Sequence, residues 1–131
     1  MEESLALIIV GGVCSLLGLV MNINPIKFDE DLYGRLEGEL SDRETILRNF
    51  GAQLRCACGA LLIAIGIIAI LNRDLPTDDA ENLLVSLGVG FMLLMGVIAA
   101  GFYRKFVDLI IVPPLVIFSV LTAICFYAGF M

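Results

Sequence analysis

The chain has no histidine and no tryptophan among its 131 residues. Without imidazole, His ligation of haem, chlorophyll, zinc or copper and any His-based proton relay are excluded. Charge is scarce as well: 17% of residues are Asp, Glu, Lys or Arg, and they gather in short stretches that leave long segments with none. The four cysteines, Cys14, Cys56, Cys58 and Cys125, all fall in apolar runs, so they do not read as a secreted disulfide framework. Cys56-Ala57-Cys58 lacks the two-residue spacer of redox and zinc motifs, and side chains two apart on a helix point away from each other.

What the chain has in quantity is apolar length. Hydrophobic residues make up 60% of it, and the mean hydropathy is +0.98. Apolar runs at 5–21, 54–71, 83–103 and 109–131 each meet or approach the roughly 20 helical residues that a bilayer core of about 30 Å requires. A membrane barrel would alternate apolar and polar residues, whereas 61–71 and 109–120 are apolar on every side. The expected fold is therefore all-α, an integral membrane four-helix bundle in a single domain over 1–131, with spans at about 5–22, 53–71, 83–103 and 108–130. Glu2 and Glu3 stand where a signal peptide carries positive charge, so the first run is expected to be retained as a span.

Basic residues set the expected orientation. Lys27, Arg35, Arg43 and Arg48 lie in the first connection and Arg104 and Lys105 in the third, against Arg73 alone in the second. The asymmetry predicts cytoplasmic first and third connections with both termini outside, in a bacterial inner membrane or an organelle membrane.

Asn24-Pro25 ends the first helix, because proline lacks a donor and drives the preceding residue out of the α region. Phe28, Leu32, Leu36 and Leu40 then recur every four residues among acidic neighbours, which predicts an amphipathic interfacial helix weakened by Gly34 and Gly38. Asp29, Asp31, Gly34 and Glu37 fall at calcium-loop positions, but Tyr33 and Leu40 occupy two others and no bidentate Glu closes the loop. Ser41 and Glu44 form a capping box, so the second span is expected to begin in water near Asp42 and to project from the bilayer as a stub.

Small residues recur at helical spacing: Gly11 with Ser15, Cys14 with Gly18, then Ala52, Cys56, Ala60 and Ala64, and Gly96 with Ala100. Lipid gives helices little hydrophobic reason to associate, so such stripes mark candidate packing faces, within the bundle or against another subunit. Arg55 lies one turn inside the second apolar run, where a charge is expensive unless it snorkels or pairs. An Arg55–Asp108 pair is a plausible partner choice, and Arg55, Arg104, Lys105 and Asp108 together form a candidate headgroup or anion site. Asp108 also suits the N-cap of the last helix, and Pro113-Pro114 is expected inside that helix, kinking it or lining a cavity with Ser119 and Thr122 nearby.

The order Asn24-Pro25, an acidic connection, Ala52-Gln53-Leu54-Arg55 and Gly59-Ala60-Leu61-Leu62 resembles an uncharacterised family of small four-helix bacterial membrane proteins. That family has a carboxylate before the arginine and an aromatic-Gly-Gly after it, where this chain has Gln53 and Cys58-Gly59-Ala60. The resemblance implies a fold and no activity. Four-helix multidrug exporters are similar in size, but they need a carboxylate in the middle of the first helix, and 5–21 has none. Arg48-Asn49 echoes the second helix of the membrane enzymes of eicosanoid and glutathione metabolism, without their His and Glu partners. The expectation is a non-enzymatic accessory subunit without cofactor, metal or nucleic acid, whose partners are membrane lipids and other integral subunits or a second copy. A lipid- or small-molecule-binding protein is the alternative.

Overall fold

The computed structural model describes residues 1–34, 38–107 and 111–131, and these are all-α. Five helices follow in order: α1 Glu3–Ile23, α2 Pro25–Tyr33, α3 Asp42–Leu71, α4 Thr77–Tyr103 and α5 Val112–Phe130. All but α2 are long and apolar enough to cross a membrane, with mean hydropathies of 2.4, 2.5, 2.5 and 1.9 along the chain. The architecture is that of a multi-pass integral membrane protein with a short helix between its first two spans.

Local chemistry explains most helix ends. The Asn24 side chain accepts from the Lys27 N–H at 3.1 Å and Pro25 opens α2, so Asn24-Pro25 both closes one helix and starts the next. Of the four-residue repeat predicted through Leu40, Phe28 and Leu32 lie in α2, which closes at Tyr33 where Gly34 takes φ 94°, and Leu40 is not helical. Leu36 lies outside the described residues. Ser41 Oγ accepts from the Glu44 N–H at 3.2 Å, the bond a capping box supplies, and α3 runs 30 residues from Asp42. At 1.5 Å per residue that is about 45 Å, well beyond a hydrocarbon core of about 30 Å.

The last helix departs from expectation. Pro113 and Pro114 sit in the first turn of α5, not in its interior, and Ile111 is the N-cap. First-turn N–H groups have no intrahelical acceptor, so proline loses nothing there and its fixed φ favours helix initiation. The prolines start this helix and do not kink it. Asp108, expected as its N-cap, lies outside the described residues.

The chain divides into two compact units, one of Met1–Val10 with Ala69–Met131 and the other of Gly11–Ile68. In the first, α4 and α5 form an antiparallel pair. Gly88 lies under Phe126, Gly129 lies against Val85, the Phe91 and Phe118 rings meet at 5.7 Å, and Ser119 Oγ lies 3.2 Å from Met95 Sδ. Leu84, Phe91, Leu121 and Cys125 are buried, and Thr122 Oγ1 donates to the Phe118 carbonyl one turn back.

In the second unit α1 and α3 touch backbone to backbone. A Cβ placed on Gly66 would stand 2.6 Å from the Gly11 carbonyl oxygen and 2.9 Å from the Ser15 nitrogen. One on Gly59 would stand 2.7 Å from the Gly18 carbonyl oxygen. Numbers fall along α3 as they rise along α1, so the two helices run antiparallel. Only glycine permits this approach.

Candidate functional site

The most developed polar cluster lies where α2 meets α3. Arg55 Nε donates to Asp29 Oδ1 at 2.7 Å, and the guanidinium carbon stands 5.2 Å from the centre of the Phe28 ring. Both charged side chains are largely shielded, at 22% and 29% exposure. Asn22, at the end of α1, donates from Nδ2 to the Gly18 carbonyl at 3.0 Å and across to the Cys56 carbonyl of α3 at 3.2 Å. Together these contacts fasten the Asn24-Pro25 corner and α2 to the first apolar turns of α3.

Arg55 therefore has a carboxylate from the neighbouring short helix; Asp108, the partner offered by the sequence, lies outside the described residues. The pair resolves the cost of a charge inside a span: opposite charge, a charge-assisted hydrogen bond and an aromatic face replace water. Asp29, Phe28 and Asn22 were not singled out for this role from the sequence. Asn22 was in principle visible, since it extends the Gly11, Ser15, Gly18 strip by one further turn. Asp29 was not, because three consecutive acids, Asp29, Glu30 and Asp31, compete for the role and only the orientation of α2 chooses among them.

Beside the cluster, α2 and the start of α3 bound a half-open cleft of about 420 Å³, lined by Ile26, Asp29, Tyr33, Glu44, Leu47 and Arg48 among others. Among its described lining residues are the acids Glu30 and Glu44, the base Arg48 and Asp29, whose charge is already paired with Arg55. Among the described residues no three of His, Cys, Asp and Glu converge to hold a metal ion.

Of the other candidates, Arg104 and Lys105 belong to the turn after α4. The Lys105 N–H donates to the Phe102 carbonyl at 3.1 Å and the Phe106 N–H to Gly101 at 3.0 Å, which closes the helix in a Schellman motif. Lys105 holds φ 60°, the position glycine normally takes, and Arg104 stacks on Phe106 at 4.7 Å. Asp108 lies outside the described residues, so the proposed grouping with it has no geometry.

The small residues fall into two sets. Gly11, Ser15 and Gly18 form the α1 side of the close helix contact, and half-buried Cys56 supplies a carbonyl to it. Ser15 Oγ is buried there, pressed against Gly66, with no hydrogen-bond partner among the described residues. Ala60, Ala64, Gly96 and Ala100 are exposed. Gly59 and Gly66, the residues that α3 contributes to the contact, were not singled out from the sequence.

No family model, no curated protein and no solved structure matches the chain, so what stands of the resemblance is the small four-helix membrane architecture itself.

Proposed function

We propose that this protein is a non-enzymatic accessory subunit that packs against a larger integral membrane complex, in a bacterial inner membrane with its first and third connections cytoplasmic. The observation that carries this reading is the outer face of α4. Among the described residues nothing lies within 4 Å of where a side chain would begin on Gly96, and Ala100 one turn on is exposed. Glycine inside a helix costs about 1 kcal/mol relative to alanine and repays it where another backbone comes close. Gly88 of the same helix has Phe126 against it; Gly96 has no such neighbour among the described residues. A helix of another protein would fill the strip. The internal pairing of Arg55 with Asp29 supports the same reading, since it ties the one basic residue inside an apolar span to the fold and not to a moving ion.

Gentle extraction of the tagged protein from native membranes, followed by native mass spectrometry, tests it. Co-purification with one larger complex at fixed stoichiometry, lost in a Gly96→Leu variant, is the expected result. Recovery free of any other membrane protein would overturn the reading.

The cleft between α2 and α3 favours a second reading, a site for a small organic molecule, since its volume lies within the usual range of about 300–1,000 Å³. Glu30 and Glu44 in its lining, against Arg48, favour a cation. A thermal-shift screen with organic amines tests this, and uniform indifference would remove it.

A further inference from the structure

We infer that two copies of this chain pair in the membrane through the face of α3 opposite to α1. The proposal is independent of the accessory-subunit reading and concerns a different helix from the α4 strip.

The face is a heptad seam. Leu47, Leu54, Leu61 and Ile68 recur every seven residues, and Phe50, Ala57 and Ala64 recur every seven between them, so the spacing alternates three and four without a break. That is the 3.5-residue repeat by which helices pack knobs into holes. Every member is exposed: Leu47 by 60%, Phe50 by 62%, Leu54 by 53%, Leu61 by 66% and Ile68 by 50%, with Ala57 and Ala64 exposed as well. At 100° per residue Phe50, Leu54, Ala57, Leu61, Ala64 and Ile68 lie within about 60° of the direction opposite Gly59 and Gly66, which hold α1, while Leu47 lies nearer the side of α2 and also lines the cleft there.

Lipid alone does not account for it. A lipid-facing strip needs apolar residues and has no use for a register, nor for two alanines at one heptad position in its middle. The strip also continues past the apolar run. Leu47 and Phe50 lie in the polar stub among Arg43, Glu44, Arg48 and Asn49, on the same register as the residues inside the span. Apolar side chains there are exposed to water unless protein covers them.

A second copy fits the seam for three reasons. All copies insert with one topology, so a two-fold axis along the membrane normal brings α3 against α3 in parallel and sets each residue beside its equivalent at the same depth. Small then meets small at Ala57 and Ala64, which lets the two backbones approach closely at mid-span, while leucine layers lock above and below. With each large side chain exposing on the order of 100 Å², the strip offers on the order of 500–700 Å² per copy, near the roughly 800 Å² per partner of a standard interface.

The test is disulfide cross-linking in native membranes, with the four native cysteines replaced by serine or alanine and single cysteines introduced as Ala57→Cys, Ala64→Cys and, on α1, Leu16→Cys. Leu16 is as exposed as the seam, at 64%, and does not belong to the α4 strip, so random collision in the bilayer would link it equally. Covalent dimer at Ala57→Cys and Ala64→Cys and little at Leu16→Cys is expected. In the chain with its native cysteines, Ala57→Leu with Ala64→Leu should lower the dimer fraction in lipid vesicles at least about tenfold by overpacking the closest layers, with thermal stability in detergent unchanged. Equal cross-linking at all three sites, absence of dimer at the seam, or a dimer indifferent to the double leucine substitution would each overturn the proposal.

Discussion

The contact between α1 and α3 makes a prediction whose magnitude follows from distances. In Gly66→Ala the new methyl group stands 2.6 Å from the Gly11 carbonyl oxygen and 2.9 Å from the Ser15 nitrogen, both backbone atoms that no rotamer change can move. Ordinary contact lies near 3.4 Å, so the helices must part locally by about 0.5–1 Å, and a gap of that size forfeits roughly a quarter to a half of the dispersion energy of each facing pair. Overpacking of this kind costs about 1–3 kcal/mol, while replacing a helical glycine by alanine returns about 1 kcal/mol of helix propensity. The comparison is cleanest against Gly96→Ala, where nothing among the described residues lies within 4 Å and only the propensity gain operates. Reversible SDS titration in mixed micelles, followed by circular dichroism, should place Gly66→Ala below Gly96→Ala by about 1–3 kcal/mol, because the propensity term is common to both. Equal stability of the two variants would refute the backbone contact.

Three further outcomes are expected. A double-mutant cycle over Asp29→Ala and Arg55→Met should give a coupling of about 1–2 kcal/mol, between the values for exposed and buried pairs; additive single effects would show that the two do not interact. Lys105→Gly should stabilise by about 1 kcal/mol in chemical denaturation, since glycine takes φ 60° without the cost of a Cβ, and a destabilised variant would mean that the turn is not left-handed there. Pro113→Ala should change stability by less than about 1 kcal/mol, as befits the first turn of α5; a gain near 3 kcal/mol would mark a proline inside the helix instead.

The spans were legible because their signal is compositional: long apolar runs form helices in lipid, since no other isolated segment satisfies its own backbone there. Cap chemistry was legible for the same kind of reason, as at Ser41 and Glu44, where the bond joins residues three apart. Faces were harder. The strip Ala52, Cys56, Ala60, Ala64 repeats by four, and four residues of helix turn through 400°, so a strip read that way drifts 40° at every step. It starts half-buried at Ala52 and Cys56 and is exposed by Ala60 and Ala64, while the contact with α1 follows Gly59 and Gly66, seven apart. Pro113-Pro114 shows a different limit. Proline excludes a helix interior and favours a first turn equally well, and only the position of the helix start separates the two.

Arg55 shows how a costly residue is reconciled with its surroundings. A guanidinium one turn inside an apolar helix needs either water or a carboxylate, and α3 carries no acid between Glu44 and its end. Snorkelling toward water would have left α2 untethered. The Asn24-Pro25 corner instead turns the chain back at once, so that four residues after Pro25 a carboxylate arrives beside Arg55 with Phe28 under the guanidinium. The position of Asp29 thus depends on the corner, and the corner on the Asn24 cap and on the bonds from Asn22 to Gly18 and Cys56. A substitution at Asn22 should accordingly weaken the ion pair from a distance: in Asn22→Ala the Asp29–Arg55 coupling energy should fall by about half or more. An unchanged coupling would mean that α2 is held by the ion pair alone.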